Sequence, residues 1–168
     1  DKGHMELVEM AWRLSAKGYR DVHYVVIGGE VPGHEAYAGE LREAIERAGL
    51  TERFHLVGRR SDIPGWIAGM DIACHLPLCE DCFPAVPMEA AAMGKPLLSF
   101  RSGGIPEELT HPDSARLVAI GDVDALTSEV VELIESPALR ERMGRSARAE
   151  VRRKFSLPRH RAELDAVY

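Results

Sequence analysis

Apolar residues recur along this chain at two spacings that alternate. From His4 to Lys17, Leu7, Val8, Ala11 and Leu14 fall on one helical face, and Lys17-Gly18 supplies the stop. Val22 to Ile27 follows as a short run of β-formers closed by Gly28-Gly29, the pattern of a buried strand. Tyr37 to Ala48 returns to the helical period through Leu41, Ala44, Ile45 and Ala48 until Gly49 ends it, and Phe54 to Val57 predicts a second strand before Gly58. Ser61-Asp62 is placed to cap a short helix carrying Ile63, Trp66 and Ile67, and Asp71 to Leu76 predicts a third strand stopped by Pro77. An alanine-rich helix from Val86 to Met93 ends at Gly94-Lys95-Pro96 and leads into a strand at Leu97 to Phe100; Arg116 to Ile120 predicts one more. Asp122 caps a helix whose face is Val123, Leu126, Val130 and Leu133. Ser136-Pro137 closes that helix and opens a long last one lined by Leu139, Met143, Ala147 and Val151.

Strands separated by helices of this length imply βαβ units. The expected fold class is therefore α/β, a Rossmann-like, doubly wound parallel sheet with helices on both faces. The 168 residues suit one compact domain, and no repeat or Pro/Gly/Ser-rich linker divides them. In such a sheet ligands bind beyond the carboxyl ends of the strands, so the loops after Ile27, Val57, Leu76 and Phe100 are where chemistry is expected.

Charge and cysteine content narrow the classes. A net charge of -6 argues against general nucleic-acid binding. Against that balance stands a basic run from Arg140 to Arg161, read first as a solvated helix face and second as a peripheral membrane contact. No apolar stretch approaches the roughly 20 residues that span a bilayer. Asp1-Lys2-Gly3-His4 carries no apolar export core, so the default location is cytoplasmic, at the inner membrane surface if the arginines meet lipid. Three cysteines, Cys74, Cys79 and Cys82, fit reduced thiols. Cys79-x-x-Cys82 near His75 lacks the second ligand pair of a structural zinc site, and no metal or cofactor is expected. Gly28-Gly29-Glu30-Val31-Pro32-Gly33 misses the dinucleotide fingerprint, because Glu30 stands where glycine is required. Trp12 and Trp66 suit core or edge packing, and His34, His111 and His160 show no usable spacing.

The loop after Leu76 is the one that carries chemistry. It runs from Pro77 through Cys79, Asp81, Phe83 and Pro84 to Glu89, with Pro87 suited to open the following helix and Glu89 expected in its first turn. A helix start offers free N–H groups and partial positive charge, a natural seat for a diphosphate. A carboxylate is repelled by phosphate but accepts hydrogen bonds from sugar hydroxyls, the role expected of Glu89 toward a ribose and of Asp81 toward a second sugar.

This segment resembles the donor signature of family 4 glycosyltransferases of the GT-B fold, two acids flanking a Gly-Phe-Gly core before an alanine-rich helix. Asp81 and Glu89 match the acids. Lys2-Gly3-His4, Val26-Ile27-Gly28-Gly29, Phe54 to Gly58, Ser102-Gly103-Gly104-Ile105-Pro106-Glu107 and the tail from Phe155-Ser156 to Tyr168 are similar to further family segments in the same order. The resemblance implies one half of a GT-B fold, binding a nucleoside-diphosphate sugar for retaining, metal-independent transfer of a hexose to an acceptor. It implies Lys2, Asp81 and Glu89 as the catalytic set. Lys2 and the backbone of Ala85 and Val86 would meet the diphosphate, Gly58, Arg59 and Arg60 the base, Glu89 the ribose, and Asp81, Phe83 and Pro84 the transferred sugar.

Three departures stand out. Asp81 replaces a more usual glutamate, Cys82 and Pro84 replace the two glycines, and the family's arginine ahead of the lysine would precede Asp1. The resemblance thus implies a C-terminal domain over residues 1–168, without its first strand and without the N-terminal acceptor domain that would be its partner. Such a fragment is expected to bind nucleotide and turn over little. A noncatalytic nucleotide-sugar-binding module and another GT-B enzyme, an epimerase or phosphorylase, are the rival readings.

Overall fold

The computed structural model describes residues 2–29 and 32–166. Glu30 and Val31 of the tested fingerprint, Asp1, and the end of the tail at Tyr168 lie outside the described residues. The chain alternates α1 (His4–Ala16), β1 (Tyr24–Val26), α2 (Glu35–Arg47), β2 (Phe54–Leu56), α3 (Ile63–Gly69), β3 (Ala73–His75), α4 (Ala85–Ala92), β4 (Leu97–Phe100), α5 (Ile105–Glu108) and β5 (Ala115–Val118). Three helices close it, α6 (Val123–Glu135), α7 (Pro137–Phe155) and α8 (Leu157–Asp165).

All strand pairs are parallel. They form two sheets rather than the single one expected, β1 with β2 and β3 with β4 and β5. Among the described residues β1 and β3 make no ladder with each other, and each keeps an unpaired edge. One core nevertheless spans both, with Tyr24 and Phe54 of the first sheet buried in the same cluster as Leu76, Leu98 and Phe100 at the second. The remaining strand face packs Ala73, Leu97, Ala115 and Leu117 against Ala90, Ala91, Ala147 and Val151. Gly144 lets α7 approach the turn after α4 closely: a Cβ there would lie 1.9 Å from the Gly94 carbonyl oxygen. A cleft of about 400 Å³ lies between Val25 of β1 and Gly65, Trp66 and Gly69 of α3.

β1, β2 and β3 are shorter than the apolar runs suggested, because flanking residues such as Val22 and Ile72 pack on the core without joining a ladder, whereas β4 keeps its expected span and β5 is shifted to Ala115–Val118. The cap expected at Asp122 forms, accepting from the Ala125 N–H at 2.9 Å, and Ser136, expected to open the next helix, caps α7 by accepting from the Leu139 N–H at 3.2 Å. Asp62 flanks α3 without a side-chain capping bond and instead lies 3.6 Å from Arg60. Trp12 is 53% exposed, whereas half-buried Trp66 stacks under the Arg60 guanidinium at 4.9 Å. The basic run divides. Arg140 is tied to the Leu133 and Ile134 carbonyls and Arg145 to Glu141, while Arg142, Arg148, Arg152 and Arg153 are exposed on the outside of α7. Among the described residues no helix is long and apolar enough to cross a membrane.

Candidate functional site

The carboxyl end of β3 is assembled from three segments far apart in sequence. Gly3, at φ 68, turns the chain into α1 against the end of β3, where a Cβ would lie 2.0 Å from the Leu76 carbonyl oxygen. Only glycine fits so close an approach, and it sets the exposed Lys2 at the mouth of the loop that follows β3. The charges confirm the grouping. Burial lowers the His75 imidazole below its usual value, Lys2 lowers it further and Asp81 opposes them, so both charges act on one ring.

The third segment is the turn after β4. Gly103 and Gly104 press their backbone on the donor-loop backbone: a Cβ on Gly103 would lie 1.9 Å from the Asp81 carbonyl oxygen, and one on Gly104 2.1 Å from that of Cys82. The Gly104 N–H donates to the Asp81 carbonyl at 3.0 Å, and Ser102 Oγ donates to the Cys79 carbonyl at 2.9 Å. This bracing fixes a loop that Cys82 and Pro84 deprive of glycine freedom. Asp81 Oδ1 accepts the Phe83 N–H at 3.3 Å, which leaves the second carboxylate oxygen for a ligand. The Phe83 ring, 52% exposed, meets Phe155 of α7 edge-on with centroids 5.3 Å apart.

α4 starts earlier than its sequence suggested. Pro84 is the N-cap and Ala85 the first helical residue, so Pro87 occupies the third position and Glu89 the second turn rather than the first. Proline is tolerated there because the first-turn N–H groups have no intrahelical acceptor. Pro84 supplies no side-chain cap. The N–H groups of Ala85 and Val86 therefore have no hydrogen-bond partner among the described residues, and both residues are exposed. Glu89 is exposed one turn further along the same helix.

Not every predicted site residue joins this group. Gly58, Arg59 and Arg60 lie at the end of β2, beside the turn after β1: the Gly28 N–H donates to the Gly58 carbonyl at 3.1 Å. No hydrogen bond or ring contact among the described residues links them to the Asp81 loop. Cys79 and Cys82 are exposed free thiols, while burial pushes the Cys74 thiol up to about 12. Among the described residues no three His, Cys, Asp or Glu side chains gather as a metal site would require.

Two features had no sequence signal. Glu108 is completely buried, and neither of its carboxylate oxygens has a hydrogen-bond partner among the described residues. Burial first, then Asp81 and Glu107, push its carboxyl up to about 7. Lys154 of α7 donates to the Glu107 carbonyl at 2.8 Å and so caps the end of α5. An acid following an acid, and a lysine in an arginine run, both read as solvated.

Residues 1–136 match the family described as Glycosyl transferases group 1. The chain belongs to this family. Among similar proteins of known role, this glycosyl transferase domain is 30% identical over 144 residues to the lipopolysaccharide core biosynthesis mannosyltransferase LpcC of Rhizobium leguminosarum bv. viciae. That match covers 86% of the chain and 41% of the relative. It is also 30% identical over 171 residues to the MMP alpha-(1->4)-mannosyltransferase of Mycolicibacterium hassiacum, covering 99% of the chain and 39% of that protein. Among solved structures, HepE of Anabaena in complex with UDP superposes with a TM-score of 0.91 at 25% identity, over 99% of the chain and 46% of HepE. The domain thus spans about two-fifths of the length of the relatives it matches, and its fold is that of one half of a GT-B glycosyltransferase.

Proposed function

We propose that this domain binds a nucleoside-diphosphate sugar as donor and stabilises the departing diphosphate during retaining, metal-independent transfer of a hexose. The observation that carries the proposal is the pair of free N–H groups at Ala85 and Val86, set at the same end of β3 as Lys2. Charge accumulates on the diphosphate as the glycosidic bond breaks. Fixed N–H dipoles, the α4 start and an ammonium group already in place oppose that charge without reorganising. Glu89 then takes the ribose hydroxyls, Asp81 with Phe83 and Pro84 faces the sugar, and Gly58, Arg59 and Arg60 border the base from the β2 side. The UDP complex of HepE supports a nucleotide ligand for the shared fold.

The acceptor belongs to a second, N-terminal domain of the same protein, and a parallel strand ahead of α1 belongs between β1 and β3. The unpaired edges of those two strands, joined by a common core, support that placement. Enclosing donor and acceptor needs both halves, so the domain by itself binds donor and transfers little. Calorimetry of the protein against UDP-, GDP- and ADP-sugars tests the reading. Binding with a preference for one base is expected; absence of binding to all three at millimolar concentration would overturn it.

A further inference from the structure

Glu108 sits in a place where a charge is hard to hold. It is wholly buried, no N–H or O–H among the described residues reaches either oxygen, and the charges that act on it, Asp81 and Glu107, are unfavourable. The charged groups that act on it are Asp81 from the donor loop and Glu107 on its own helix, and Lys154 of α7 reaches its backbone carbonyl. Lys154 is engaged elsewhere: its ammonium reaches the carbonyls of Glu107 and Glu108 and pairs with Glu150 Oε1 at 2.7 Å. A buried carboxylate without donors or a counter-ion is unstable, so the group is held neutral.

Its position links that proton to the donor loop. The Glu108 N–H donates to the Gly104 carbonyl at 3.2 Å, and the Gly104 N–H donates to the Asp81 carbonyl at 3.0 Å. The backbone contact of Gly103 and Gly104 with Asp81 and Cys82 leaves no slack, so any shift of α5 is passed to the loop. We propose that Glu108 is the positioning residue of the donor loop. As a neutral carboxyl it lets α5 hold the two glycines against Asp81 and Cys82; as a carboxylate, repelled by Asp81 and seeking water, it forces that contact open. The consequence for donor affinity rests on the nucleotide-sugar reading, whereas the movement of the loop does not.

The test compares wild type with Glu108→Gln, a neutral side chain of the same shape, between pH 6 and 8.5. UDP-glucose is the probe because its diphosphate has no proton to lose in that window. Wild-type affinity is expected to fall on the order of fivefold as one buried charge forms near the donor, and that of Glu108→Gln to stay level. Hydrogen-exchange protection of the Gly104 amide is expected to drop over the same range in wild type alone. In carbon-detected NMR of wild type, one glutamate carboxyl titrates within the window and is missing from the variant. A variant that follows wild type in both affinity and Gly104 protection overturns the positioning role while leaving the donor reading intact. If UDP-glucose binds neither protein but Gly104 protection changes only in wild type, the positioning role stands and the donor reading falls.

Discussion

Gly103 is so close to Asp81 that its α-hydrogen occupies the space where a Cβ would lie 1.9 Å from the Asp81 carbonyl oxygen. At φ 48 any side chain there also incurs the left-handed penalty, about 1–2 kcal/mol. Gly103→Ala is therefore expected to displace the donor loop and weaken nucleotide-sugar binding tenfold or more, about 1.4 kcal/mol. Gly39→Ala is the control: it lies inside α2 with open space at its Cβ and should gain roughly 0.5–1 kcal/mol of stability with binding unchanged. Calorimetric affinity and denaturation midpoints for the two variants decide the matter. Equal affinity in both would show that the bracing of Asp81 is irrelevant to the donor.

The exposed Glu89 side chain has no hydrogen bond or ion pair among the described residues, so its loss should barely touch stability, within about 0.5 kcal/mol. Its expected effect lies in binding. Removing a charge-assisted hydrogen bond to a ribose should cost on the order of 1.5–3 kcal/mol of affinity in Glu89→Ala. Titration with UDP and with the free base separates the contribution of the ribose. An unchanged affinity for UDP removes Glu89 from the site.

Much of this architecture was legible from periodicity alone. The helical faces of α1, α2, α6 and α7 bury or half-bury the residues that their spacing marks, and so do the apolar residues of β1, β3 and β4, whereas Leu56 of β2 is exposed and Ile120 of the last apolar run is exposed beyond the end of β5. The caps at Asp122 and Ser136 were legible because capping is local chemistry. The start of α4 was not, because two prolines, Pro84 and Pro87, both suit a helix opening and only packing selects between them. Long-range contacts were least visible. Nothing in Ile105-Pro106-Glu107-Glu108 distinguishes the acid that faces water from the one packed beneath the donor loop, since a one-turn helix has no period to read. The split between β1 and β3 was hidden for a related reason: hydrophobic patterning marks strands and leaves their partners open.

Glu150 holds the far end of the same packing. Burial raises its carboxyl, but Lys154, the Ser114 and Thr110 hydroxyls and the Thr110 N–H outweigh burial and bring it down to about 2. A depressed carboxylate contributes stability above its unfolded value, near 4.5, and loses that contribution as pH falls toward 2. Glu150→Gln is expected to be less stable than wild type by roughly 2–3 kcal/mol at pH 7. Urea unfolding from pH 7 down to 2.5 should show the two curves converging below about pH 4. Parallel curves across that range would mean that the Thr110 and Ser114 contacts bind the neutral acid equally well.

Glu108 gives the opposite sign. Its carboxyl is raised from the ordinary 4.5 to about 7, so its favourable contribution is complete below about 4.5 and is lost as pH rises through 7. Glu108→Gln, which cannot ionise, should match wild type at pH 4 and exceed it at pH 8, by at most about 3 kcal/mol. The gain should open between pH 4.5 and 7 and then stay constant, because both folded and unfolded wild-type chains are ionised above that range. A gain that is already present at pH 4 would instead indicate better packing of the amide. Because Glu150 loses its contribution on the acid side and Glu108 on the neutral side, the double variant should have a flatter pH profile than either single one, and additive losses and gains are expected only if Lys154 does not move.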